Sequence, residues 1–281
     1  MSARLRGVAQ ETEGAVAAGA YRTADGRGIP LAAAVGAARE GTRMVGPGPV
    51  PVPETVLGTA PSAPRIEVTG ESSLEAARRL ADAPVAVLNF ASARNPGGGY
   101  LNGAQAQEEA LCRASALYTC LLRAPEFYDH HRAHRDPFYT DRVIHSPAVP
   151  VFRDDRGRFL PEPYAVGFLT AAAPNAGVIL RTAPERACEL PRALAVRAER
   201  VLATAAAHGY RRLVLGAWGC GVFRNDPAQV ADAFRALLGP GGRFEGTFTQ
   251  VVFGVLDRTP GSVVRQAFAR AFSEPRLRER A

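Results

Sequence analysis

Residues 85–109 read Val85-Ala86-Val87-Leu88-Asn89-Phe90-Ala91-Ser92-Ala93-Arg94-Asn95-Pro96-Gly97-Gly98-Gly99-Tyr100-Leu101-Asn102-Gly103-Ala104-Gln105-Ala106-Gln107-Glu108-Glu109. The unbroken apolar run Val85–Phe90 is the pattern of a central strand covered on both faces. A loop from Ala91 to Gly99 leaves it and leads to a helix expected over Ala106–Leu122. A strand that feeds a glycine loop and then a helix is the unit of an α/β fold. The glycines let a backbone pass close to something bulky and anionic. An amide and two adjacent carboxylates follow after seven residues, the residue types of acid–base chemistry.

The same unit recurs downstream. Arg212–Leu215 is a buried strand, and Gly216-Ala217-Trp218-Gly219-Cys220-Gly221-Val222-Phe223-Arg224-Asn225-Asp226 is a second glycine loop. Pro227 opens the following helix at a favoured first-turn position. Ligands of open α/β sheets sit at the carboxyl ends of strands, and two such loops facing each other make a slot for a diphosphate. Neither loop carries GxGxxG. The 34 basic residues are all arginine, and a chain without lysine excludes a P-loop NTPase.

Around this centre, strand and helix signals alternate from residue 65 onward. Strands are expected at Arg65–Thr69, Arg142–Ser146, Tyr164–Ala171 and Phe248–Leu256. Helices are expected at Ser72–Asp82, capped by Ser72 or Ser73, and at Pro191–His208, Pro227–Leu238 and Ser262–Phe272. The first 45 residues are alanine-rich and helical in pattern. The stretch Gly46-Pro47-Gly48-Pro49-Val50-Pro51-Val52-Pro53 is a linker or extended chain wrapped on the main body. A boundary near residue 64 divides an accessory segment, 1–64, from a main domain, 65–281.

Composition sets limits on the rest. With 281 residues, 47% hydrophobic and 22% charged, the chain is long enough for one large globular domain. No run reaches membrane-span length, and the N-terminus lacks the apolar core of a secretory signal, so a cytoplasmic protein is expected. Four scattered cysteines make neither a disulfide framework nor a zinc site. The net charge of +7 suits a phosphate-bearing substrate but also reflects a composition rich in Ala, Gly, Pro and Arg. His130, His131 and His134 lack HExxH and read as a polar segment rather than a metal site. Trp218 reads as core packing.

Gly97-Gly98-Gly99, seven residues, then Gln107-Glu108-Glu109 resembles the signature of the poly(ADP-ribose) glycohydrolases of the smaller bacterial type. The likeness extends through Leu88–Pro96, Ser146–Asp155, Ala172–Asn175 and Gly216–Pro227, and the first 64 residues are similar to the family's accessory region. The resemblance implies a macrodomain-like three-layer α/β/α sandwich with a mixed central sheet, and hydrolysis of ribose–ribose O-glycosidic bonds, mainly from the chain terminus. It implies that Glu109 is the catalytic acid/base, and that Glu108 holds the ribose hydroxyls with Gln107 in support. Gly97, Gly98 and Gly99 would close on the substrate, and Gly219, Cys220, Gly221 and Val222 would wrap the diphosphate. Phe223 would pack on the distal ribose, with Asn89 and Ser92 lining the ribose pocket. No cofactor or metal is implied. The partners implied are poly(ADP-ribose), ADP-ribose and the proteins carrying the polymer, for an enzyme of the DNA damage response; a monomer is the default expectation. Two other readings stay open: a module that binds ADP-ribose without cleaving it, and a hydrolase of mono-ADP-ribosylated side chains. Adenine contacts are not legible; Glu67, Glu71 and Ser72 are candidates only because they follow an early strand.

Overall fold

The computed structural model describes residues 2–60 and 64–273. Its centre is a seven-stranded mixed sheet in the order β3 (Arg43–Val45), β6 (Val143–Arg153), β7 (Phe159–Ala171), β5 (Val85–Phe90), β8 (Arg212–Leu215), β9 (Gln250–Gly254), β4 (Arg65–Thr69). The five strands from β7 to β4 run parallel, and β6 is antiparallel to both of its neighbours.

The expected apolar run becomes the middle of this sheet because it can bury both faces. Val85 and Val87 belong to one core cluster, Ala86 and Leu88 to the other, as the two-residue strand period demands. On the first face lie α1 (Ala3–Ala18), α2 (Ala32–Gly41), α3 (Ser73–Leu80), α4 (Gln107–Ala114), α5 (Leu117–Leu121) and α6 (Pro125–Ala133). The second carries α8 (Leu190–Ala207), α9 (Pro227–Leu238) and α10 (Val263–Ser273), while α7 (Ala176–Thr182) packs in a small cluster with Phe138 and Leu190. This is the three-layer α/β/α sandwich with a mixed sheet implied by the resemblance.

Three elements differ from expectation. The helix expected over Ala106–Leu122 is two helices, because Ser115 between them is extended and bridges to Val151. The Ser115 hydroxyl donates to the Leu111 carbonyl and accepts from the Leu117 N–H, competing with the helix ladder. Strands β6 and β7 are also far longer than Arg142–Ser146 and Tyr164–Ala171. Pro147 falls within a register shift between Ser146 and Val149, where Ala148 takes φ +45, so the ladder resumes beyond the proline.

The N-terminal stretch contributes directly to the body. Its β3 is an edge strand of the main sheet, and a hairpin of β1 (Ala20–Arg22) and β2 (Gly28–Pro30) follows α1. Extended chain around Val50 and Val52 packs on the second core, and Arg200 Nη2 donates to the Pro47 carbonyl at 2.9 Å. The proline-rich stretch therefore wraps the body rather than swinging as a linker.

Candidate active site

Strands β5 and β8 are parallel neighbours, so both glycine loops emerge side by side at one edge of the sheet. Between them opens a cleft of about 1430 Å³ lined by both loops, the start of α4, Tyr139, the chain after β9 and one side of α1.

The start of α4 is tied to the end of β5 by Gln107. Its Oε1 accepts from the Phe90 N–H at 2.9 Å, and its Nε2 donates to the Leu88 carbonyl at 2.8 Å and the Ser73 hydroxyl at 3.1 Å. With that amide fixed, the next two side chains are buried beneath the first loop. Glu108 is 3% exposed; its Oε2 accepts from the Ser92 N–H at 2.7 Å and its Oε1 from Asn89 Nδ2 at 3.2 Å. Burial pushes its carboxyl up from 4.5 to about 8, against the pull of these donors. Glu109 is 8% exposed; its Oε1 accepts from the Gly99 N–H at 2.9 Å and its Oε2 from the Ala106 N–H at 3.1 Å.

The first loop therefore serves the carboxylates. The N–H groups of Ser92 and Gly99 are committed to the glutamates, and that of Gly98 to the Asn95 carbonyl. A Cβ at Gly98, where φ is +59, would stand 2.6 Å from Glu109 Oε1 and 3.2 Å from Glu108 Oε2. The glycine is required by the protein's own packing, before any ligand arrives. Gly97 is buried against Tyr118 and Cys112. Asn89 lies beneath the cleft, fully buried, and reaches it only through Glu108; Ser92 and Gln107 line the cleft itself.

The second loop is built the opposite way. Among the described residues, the N–H groups of Gly219, Gly221, Val222 and Phe223 donate to no protein acceptor. Gly221 has open space where a Cβ would be, and Val222 is 82% exposed. Successive unengaged N–H groups on an open turn form a nest for an anion. The N–H of Cys220, assigned by the resemblance to the same cradle, is committed to the Ala217 carbonyl at 3.1 Å. Burial pushes the Cys220 thiol up to about 12, the opposite of an activated nucleophile. The helix behind the loop offers no anion site, since Asp226 already caps Ala228 and Gln229.

Two buried side chains hold this loop. Trp218 is core, as expected, with Nε1 donating to the Ala171 carbonyl at 2.9 Å. Asn225 Nδ2 donates to the Pro174 carbonyl at 2.8 Å and the Gly219 carbonyl at 3.1 Å. Phe223 is half-buried with its ring 5.8 Å from that of Tyr139. The sequence reading missed Asn225, Tyr139 and the chain from Gly254 to Thr259. The only signal for Asn225 was its place ahead of the Asp-Pro helix start.

The remaining candidates are occupied elsewhere. Glu67 and Glu71 both pair with Arg79, at 3.1 and 2.9 Å, and only Ser72 lines the cleft. His130 stacks on His134, and His131 Nε2 pairs with the Thr140 hydroxyl at 2.8 Å. Arg197 on α8 is buried against Asp141 at 3.0 Å, so that helix does not present it to a polymer.

Residues 9–154 match the family model described as microbial-type PARG, catalytic domain. The crystal structure of poly(ADP-ribose) glycohydrolase from Thermomonospora curvata is 51% identical, with a TM-score of 0.90 over 96% of this chain and 100% of that one. The same protein bound to the inhibitor ADP-HPD gives a TM-score of 0.88 with the same identity and coverage. The enzyme from Deinococcus radiodurans in complex with ADP-ribose is 45% identical, with a TM-score of 0.79 over 87% of this chain and 99% of that one. No curated protein matches the chain. The chain belongs to the microbial-type poly(ADP-ribose) glycohydrolases.

Proposed function

We propose that this protein hydrolyses the ribose–ribose O-glycosidic bonds of poly(ADP-ribose), releasing ADP-ribose mainly from the chain terminus. One observation carries the reading: adjacent strand ends divide the work. The first loop holds two buried carboxyls, and the second presents a row of unengaged N–H groups. A module that only binds ADP-ribose has no use for the carboxyl pair.

The residues then take the following roles. The second loop gathers the diphosphate. Glu108, protonated near neutral pH, donates to a ribose hydroxyl. Glu109 gives a proton to the departing ribose oxygen as the bond from that oxygen to the anomeric carbon breaks. The anomeric carbon gains oxocarbenium character, which the clamped diphosphate stabilises. Glu109, now a carboxylate, takes a proton from water, whose oxygen bonds to the anomeric carbon. Neighbours on one helical turn cannot flank the bond from opposite sides, so the usual two-carboxylate arrangement of glycosidases does not apply.

The polymer as carried by ADP-ribosylated proteins is the substrate in this reading, and the enzyme is a cytoplasmic monomer. All four cysteines are free, which supports a reducing compartment, and no described helix is long and apolar enough to cross a membrane. A role in the DNA damage response rests on the family resemblance alone. Incubation with labelled polymer followed by separation by chain length tests the activity. Glu109→Gln should lose about 10²- to 10⁴-fold in kcat, the usual worth of one acid/base group, with ADP-ribose binding retained. Full-speed degradation by that variant removes Glu109 from the mechanism.

A further inference from the structure

The cleft does not end at the carboxyls. Past Gly99 the chain turns through Ala104 and Gly103, and the Ser2 N–H donates to the Gly103 carbonyl at 3.0 Å, which brings the start of α1 against the loop. The turn between β6 and β7 closes the other side: Gly157 lies against Val8, and Arg4 Nη2 donates to the Arg156 carbonyl at 2.9 Å. The result is an annex beside α4, with Leu5, Val8, Leu74 and Ala110 along it and Arg4 and Arg156 at its rim, the turn also carrying Asp155 and the Arg158-paired Asp154. Neither rim guanidinium is paired with a carboxylate among the described residues. The whole cleft, about 1430 Å³, exceeds the roughly 300–1,000 Å³ of ordinary small-ligand pockets.

The order of contacts fixes which end of the substrate this annex serves. The second loop meets β5 and β9 through Phe90 and Gly254, and none of its glycines approaches α1. From there the contacts run through Glu108 and Glu109 to Gly99, Ala104, Gly103 and finally α1. Along this path of contacts the carboxyls come between the nest and α1. If the nest holds the diphosphate of the unit being released, the far end of the path receives the leaving group. In this polymer that group is the ribose of the next adenosine, so a flat, weakly polar base lies one sugar away and a diphosphate beyond it. An apolar strip with two guanidinia at its rim matches that sequence of groups.

We infer that the annex formed by α1 and the β6–β7 turn is a leaving-group subsite, which takes the adenosine diphosphate portion of the adjoining polymer unit. It rests on the glycohydrolase reading above, and it gives the N-terminal helix a part in substrate recognition.

The test compares two substrates that share the released unit. One is poly(ADP-ribose); the other is ADP-ribose carrying 4-methylumbelliferone on the anomeric carbon of the distal ribose, which leaves the annex without its base and diphosphate. The double variant Arg4→Glu, Arg156→Glu should lower kcat/KM on the polymer about tenfold, from two exposed charge contacts of ordinary strength, and leave the small-aglycone substrate within twofold. Both arginines are exposed, so folding is preserved. Arg192→Glu, an exposed reversal on α8 across the sheet, controls for general attraction of the polyanion and should change neither rate much. Equal losses on both substrates, no loss on the polymer, or the same polymer loss in Arg192→Glu each overturn the subsite. Wild-type protein that cleaves neither substrate overturns the glycohydrolase reading itself, and the subsite with it.

Discussion

Gly98 lies directly over Glu109, so close that a Cβ on the glycine would stand 2.6 Å from the carboxylate's Oε1. The triple glycine and the glutamate pair, with eight residues between them in sequence, are therefore one packed unit. Gly98→Ala has to displace the Glu109 carboxylate and also hold a left-handed backbone at φ +59, a strain of about 1–2 kcal/mol. A misplacement of roughly 1 Å at a reacting group costs about 100-fold. The variant should fold, with a lowered midpoint by circular dichroism, and lose at least that much in kcat on polymer. A folded Gly98→Ala protein with wild-type turnover would separate the glycine from the carboxyl.

Gly219 and Gly221 are two residues apart in the second loop but predict opposite phenotypes. At Gly219, with φ +72, a Cβ would meet the Ala173 Cβ and Asn225 Nδ2 at 2.5 Å, so Gly219→Ala should destabilise the fold by about 1–3 kcal/mol. Gly221 meets nothing within 4 Å, so Gly221→Ala should leave the thermal midpoint nearly unchanged, like other surface changes. It should still weaken ADP-ribose binding, because its methyl group projects into the space the phosphates need. Calorimetry and titration of ADP-ribose on both variants check the contrast. Unaltered affinity in Gly221→Ala would count against the nest.

Asn225 supports that loop from beneath. Its amide joins the Pro174 and Gly219 carbonyls, and the residue is 3% exposed. Asn225→Ala leaves the buried Pro174 carbonyl without this donor, at about 1–3 kcal/mol, while the half-buried Gly219 carbonyl keeps the backbone N–H of residue 225. The expected result is a lower thermal midpoint together with looser ADP-ribose binding, and activity lost mainly through KM. A loss confined to kcat would mean that Asn225 acts on the carboxyls instead.

The elements that position the site were legible where local chemistry and burial agree. Val85–Phe90 and Arg212–Leu215 are apolar enough to occupy only the middle of a sheet, and β5 and β8 match those bounds. Ser72 and Ser73 both offer a cap for α3, and Ser72 takes it in a capping box with Glu75. What sequence patterns could not give was long-range. Pro147 and Pro150 argue against a strand, yet β6 runs through both because a register shift absorbs the first. Ser115 looks helical by its neighbours, and the bridge to Val151, with the hydroxyl's bonds to Leu111 and Leu117, ends α4 there. In the site, the pattern identified the carboxyls but not which donors face them. The first loop's N–H groups looked free for phosphate until their partnership with Glu108 and Glu109 was visible.

Glu108 makes the sharpest pH prediction, because burial raises its carboxyl from 4.5 to about 8. Below pH 4.5 the group is protonated whether the chain is folded or not, and its contribution to stability is fully present. Between 4.5 and about 8 only the unfolded chain releases the proton, so stability falls by about 1.4 kcal/mol per pH unit for this one site. Above about 8 both states are ionised and the contribution is gone. Glu108→Gln carries no such term. Its stability relative to wild type should rise across that window and level off beyond it, whatever constant offset the amide introduces against Ser92 and Asn89. Urea melts at intervals from pH 4.5 to 9 measure the slope difference directly. Activity should follow the same group: kcat/KM on polymer declines above about pH 8 as Glu108 loses the proton it donates to the ribose, and Glu108→Gln flattens that limb. Parallel stability curves for the two proteins would show that Glu108 is already ionised in the folded state, and the hydrogen bond assigned to its proton would then have to come from another donor.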